Sequence, residues 1–172
     1  MASVLKKTDH KHPFAPFLAE DVARIKAQFL DGFDALFLDE NGATCLMAAA
    51  GRGNAEAAHL ALSLCQDPKA LATAKNRQGL DAFDIAAERG ATATMAVISK
   101  RLPMAHVAAS GHGFLWHAAL ASKNDPNIAE AWLLDLCIAG EKSGALEALS
   151  LSLELGWEKG AARLRELLTP ES

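Results

Sequence analysis

The chain has 172 residues, of which 51% are hydrophobic and 22% charged, with a formal net charge of -4. Its 36 alanines and 25 leucines face only nine valines plus isoleucines and no tyrosine. Strong helix formers in that excess exclude a β-sandwich, a barrel or a parallel-sheet α/β fold, and the apolar content excludes disorder.

Compartment and partner class are constrained next. No apolar stretch approaches the roughly 20 residues that cross a bilayer. Residues 1–15 read as a polar tail carrying Lys6, Lys7, His10, Lys11 and His12, with no secretory signal pattern. A signal removed ahead of this sequence, or export into a host, stays open. A pI near 5.8 argues against nucleic acid as the main partner. Cys45, Cys65 and Cys137 are odd in number and far apart, which suits a reducing, cytoplasmic compartment and three free thiols. A soluble all-α protein is expected.

The first predicted element is one helix over about residues 16–30, with Phe17, Val22, Ile25 and Phe29 on one face. Next comes a unit over about residues 39–73. It has a turn at Asn41-Gly42, a Thr44 N-cap, a short helix to Arg52, a stop at Gly53 and a second helix from Ala55. The same grammar returns 37 residues later, from Gly42 to Gly79, in a unit over about 76–107. Asp81 takes the cap position, Phe83 replaces Leu46, and Gly90 replaces Gly53. A weaker copy over about 109–141 starts at Gly111, with Ser122 in the glycine slot and a second helix opened by Asp125-Pro126. The faintest copy, over 142–168, breaks at Gly156.

Gly42, Thr44, Leu46, Ala49, Ala50, Gly53 and Glu56 resemble the ankyrin repeat, G-x-T-P-L-H-x-A-A-x-x-G-x-x-E over 33 residues. Cys45 and Met47 depart from the pattern's proline and histidine, and the third and fourth copies match mainly in layout. The resemblance implies a solenoid of about four stacked helix pairs in a single domain over residues 16–168. The N-terminal helix and the charged last helix would cap its ends. It also implies a non-enzymatic, monomeric module that binds another protein through turn tips and the exposed side of the first helices. The matching positions are Glu40, Asn41, Ala43, Gly51 and Arg52, then Arg77, Gln78, Leu80, Glu88 and Arg89, then Ala109, Ser110, His112 and Ala121. Arg52 and Arg89 share a repeat slot and should stand in line, with Lys75 and Arg77 on the neighbouring turn. Such a row fits an acidic patch on a partner.

Other chemistry is weakly signalled. His106, His112 and His117 could ligate a metal in a small helical enzyme, but no metal-ligand motif supports them, and a structural role for His117 is the plainer reading. The cysteines lack a base beside them and read as small hydrophobes. Asp31, Asp34, Asp39 and Glu40 lack calcium-loop spacing, and no phosphate loop or nucleophile elbow is present. No cofactor is expected. Within the binding class, a bacterial immunity protein or a host-targeted effector is the alternative to an adaptor or inhibitor.

Overall fold

The computed structural model describes residues 12–170, where the chain forms eleven helices and no strand. Residues 1–11 of the expected tail, His10 among them, lie outside the described residues.

Where one helix is predicted over 16–30, the chain makes two: α1 (Ala15–Leu18) and α2 (Val22–Leu30). Glu20 breaks them apart with a left-handed φ of 58°, and Asp21 restarts the chain by accepting a bond from the Arg24 N–H at 3.1 Å. Short as they are, they pack as a helix pair, α1 on α3 (Cys45–Arg52) and α2 on α4 (Ala55–Leu64). Phe14, just ahead of α1, is buried and meets Phe33 and Phe37 edge-on.

The repeats build two layers. The first holds α3, α6 (Ala82–Arg89), α8 (Phe114–Ala121) and α10 (Ala145–Glu154). The second holds α4, α7 (Thr92–Ser99), α9 (Pro126–Ile138) and α11 (Glu158–Leu168), each packed on its neighbour in the layer. A left-handed glycine precedes every first-layer helix. Gly42, Gly79, Gly111 and Gly144 all adopt left-handed φ, between 71° and 85°, at intervals of 37, 32 and 33 residues. In the first two turns the leading side chain ties the loop: Asp39 Oδ1 accepts from the N–H of Asn41 and Ala43, and Asn76 Oδ1 from those of Gln78 and Leu80. Successive turns are joined too, since the Arg77 N–H donates to the Asn41 carbonyl at 3.2 Å.

The 37-residue interval holds an element the sequence reading missed, α5 (Pro68–Thr73), capped by Asp67 with Pro68 in its first turn. It lies between the first and second repeats against α4 and α6. In the third repeat Asp125 precedes α9 as expected, but its side chain makes no backbone cap bond. Its Oδ2 instead accepts from the Thr92 hydroxyl at 3.2 Å and ties the second repeat to the third.

Spacing within the first layer follows side-chain size, as helix packing requires. Ala49, Ala50 and Ala86 are fully buried, and α3 packs directly on α6. Between the second and third repeats sits an aromatic cluster instead. The Phe83 ring lies 5.1 Å from Phe114, 5.2 Å from His117 and 6.2 Å from Trp132. Here the α6 and α8 backbones stand further apart, with the rings filling the space between them, while α7 still packs on α8 and α9. Ala87 is only half-buried, at the edge of the core, whereas Ala86 is fully enclosed.

Ala86→Leu should overpack the stack and lower stability by about 1–3 kcal/mol in urea denaturation. Ala87→Leu, at the open junction, should stay within about 0.5 kcal/mol of the parent. Equal costs at the two positions would contradict the difference in packing.

Candidate functional site

The predicted surface divides by the length of the first-layer helices. Glu40, Asn41, Lys75, Arg77 and Gln78 are exposed around the first two turns, with Ala43 and Leu80 half-buried beside them. The turns bring Asn41 and Arg77 together, and the Arg77 side chain crosses Gly42 so closely that a Cβ there would lie 3.4 Å from Arg77 Cγ. Arg52, Glu88 and Arg89 are exposed in the last turns of α3 and α6, each helix ending in a left-handed glycine, Gly53 or Gly90. An eight-residue helix is about 12 Å long. Arg52 and Arg89 therefore occupy the opposite end of the layer from Lys75 and Arg77, and these four do not form one cluster. None of the four makes an ion pair with another described residue.

The three histidines do not converge. His106 Nε2 lies 3.3 Å from Asp81 Oδ2, and its ring stacks on Phe114. His112 stacks on Trp116 at 3.8 Å, with Nδ1 3.4 Å from Glu147 Oε2. His117 is buried in α8, and its Nε2 shares a hydrogen bond with the Ser110 hydroxyl at 3.2 Å. No group of three His, Cys, Asp or Glu residues among the described ones could hold a metal ion. Each ring serves a turn or a repeat junction, which is where the metal reading of His106, His112 and His117 fails.

Between α6 and α8, beside the rings that hold the two helices apart, lies an open cleft of about 390 Å³. Of the predicted residues it gathers Glu88, Ala109 and Ser110. It adds Asp84, Trp116, His117 and Leu120, which the sequence reading did not place on a binding surface. Asp84 is 5% exposed and is bound twice: Oδ2 accepts from the Asp81 N–H at 3.0 Å, completing a capping box, and Oδ1 from the Ala109 N–H at 2.7 Å. The Asp-x-x-Asp spacing of 81 and 84 was the available signal for the capping box. Nothing local in the sequence announces the bond to Ala109.

Burial lowers the His117 pKa to about 4, assisted by the neighbouring His112. The folded state thus takes up the proton later than the unfolded chain. Stability is complete above pH 6.5 and falls as pH drops toward 4, by about 2 kcal/mol at pH 4.5. His117→Gln should remove that increment. Denaturation of both proteins at pH 7 and pH 4.5 measures it, and identical pH slopes would show that His117 titrates normally.

All three cysteines are free. Cys45 is buried, with Sγ 3.7 Å from the Ala35 carbonyl, and burial pushes its thiol up to about 12. Cys65 and Cys137 are half-buried, and burial raises both more modestly. A disulfide-exchange reagent at pH 8 should therefore modify Cys65 and Cys137 readily and Cys45 only as fast as the fold opens. Three thiols reacting at one rate would place Cys45 wrongly.

No family model matches the chain, and no curated protein matches its sequence. Its likeness to solved structures lies in the fold. A chain from the complex of Bd0816 Predatory Endopeptidase from Bdellovibrio bacteriovorus with immunity protein Bd3460 superposes with a TM-score of 0.54 at 20% identity, covering 91% of this chain and 97% of that one. An ankyrin repeat domain from Acinetobacter baumannii AYE aligns with a TM-score of 0.47 at 20% identity, covering 90% of this chain and 96% of that one. The repeated unit of left-handed turn, helix, tight stop and helix, stacked in two layers, is an ankyrin-like solenoid. No helix among the described residues is long and apolar enough to cross a membrane.

Proposed function

We propose that this chain is a non-enzymatic protein-binding module, an adaptor or an inhibitor, whose partner lies across the turn tips and the exposed side of the first-layer helices. The observation that carries this reading is the set of cations on that layer. Arg52, Arg89, Lys75 and Arg77 are exposed and make no ion pair with another described residue, in a chain of net charge -4. Their division into two groups means that a partner touching all four spans the length of the helices. An acidic patch on that partner would be complementary, since guanidinium groups pair with carboxylates in two parallel bonds.

Arg52 and Arg89 also face the negative pole of their own helices, so charge compensation alone is the competing account. Within the binding class, the likeness to a chain from an endopeptidase–immunity protein complex favours an inhibitor that occupies an enzyme's site. Three free thiols accord with a monomer working in a reducing, cytoplasmic compartment.

Partner captured from the native cell should bind Arg52→Ala/Arg89→Ala more weakly by about 2 kcal/mol or more, with a flatter salt dependence. The same double change should cost the fold only about 0.3–1 kcal/mol per arginine. Affinity that is unchanged at both low and high salt would leave helix compensation as their whole role.

A further inference from the structure

The cleft between α6 and α8 differs in character from the cationic positions around it. Its lining includes two carboxylates, Asp84 at depth and Glu88 at the exposed edge, and no lysine or arginine. The remaining lining combines small and apolar groups, Ala87, Ala108 and Leu120, with the indole of Trp116. Its one histidine, His117, stays neutral at physiological pH because burial opposes its charge. The cleft therefore presents negative charge beside apolar wall, with nothing in its own lining to neutralise it.

The wall is also fixed in place. Trp116 is held by the His112 ring stacked on it, and His112 by Glu147 on the next first-layer helix. Asp84 is held by its bonds to the Asp81 and Ala109 backbone. Each ionised carboxylate oxygen has more than one acceptor site, so those bonds leave Asp84 able to attract a further donor. At about 390 Å³ the opening has the volume of a small-ligand pocket, which admits one long side chain and not a helix.

We propose that this cleft receives a single arginine side chain projecting from the partner protein, an inference that rests on the first-layer face being the binding surface. A guanidinium suits the lining better than an ammonium. It is planar, weakly hydrated and able to lie against an indole while its N–H groups reach a carboxylate. Glu88 at the edge supplies the direct ion pair, Asp84 supplies buried negative potential, and Ala87 and Leu120 cover the aliphatic stem. The partner is then mixed in charge, with acidic ground facing Arg52 and Arg89 and one arginine entering between the second and third repeats.

The probe is the peptide acetyl-Gly-Arg-Gly-amide, titrated into the isotope-labelled protein and followed by amide and indole NMR signals. The isosteric citrulline peptide, which has the same shape without the charge, is the control. Saturable shifts are expected at the Trp116 indole N–H and at the Ala109 and Ser110 amides for the arginine peptide only. Glu88→Gln, an exposed substitution that leaves the fold intact, should weaken that binding about tenfold. Arg52→Ala/Arg89→Ala should leave the peptide titration in place, because neither side chain lines the cleft. Failure of the titration thus removes the arginine site alone, while failure of the partner experiment with the double variant removes the cationic surface alone. Equal shifts from both peptides, no shift, or unaltered binding to Glu88→Gln would overturn the proposal.

Discussion

Two helices can approach only as closely as the side chains between them allow, and in this chain alanine sets that distance nearly everywhere. Eight-residue helices are too short to persist alone in water, so each must share its faces with neighbours. Ala49, Ala50, Ala57, Ala58, Ala61 and Ala86 are fully buried and let α3, α4 and α6 meet closely. Where Phe83, Phe114 and Trp132 take over, the second layer stays closed and the first layer opens. One rule of spacing thus yields both the stack and its cleft. The last repeat shows the same dependence on a small residue, since Gly160 lies under the Trp157 ring where a Cβ would collide with it.

Polar groups hold the register that alanine cannot. Bulk-poor faces slide easily, and specific bonds prevent it. The Trp132 indole N–H donates to the Ser99 hydroxyl at 3.1 Å, the Thr92 hydroxyl to Asp125, and the Ala109 N–H to Asp84. All three cross between the second and third repeats, where the first-layer backbones stand apart. The acids of the capping box therefore do two jobs. They start α6, and through Asp84 they anchor the following turn. Burial raises the Asp81 pKa, which marks how little water reaches this joint.

Much of this architecture was legible because turn chemistry is local. Gly42, Gly79 and Gly111 announce their left-handed conformations by residue type, and Thr44 and Asp81 announce helix starts. Gly144 belongs to the same series but was obscured, since α10 begins immediately after it whereas the other first-layer helices begin three residues later. The Asp67-Pro68 signal matches the Asp125-Pro126 signal in kind, yet only the second was read as a helix start, because the repeat pattern already accounted for residues 55–73. The split at Glu20 was hidden because a left-handed glutamate has no sequence signature. The site was less legible than the fold. Individual turn-tip residues could be named from their slots, but the cleft arises from the separation of two helices, which depends on aromatic side chains distant in sequence from its lining.

Units that touch only their neighbours transmit rigidity one junction at a time, so the stiffness of a solenoid is limited by its softest link. At the α6–α8 junction that link is asymmetric, open in the first layer and closed in the second. Any bend there would turn about the α7–α9 contact and change the width of the cleft. An occupant of the cleft is then also a spacer. By holding that width it would set the angle at this one junction, and with it how the turn tips on either side are aimed.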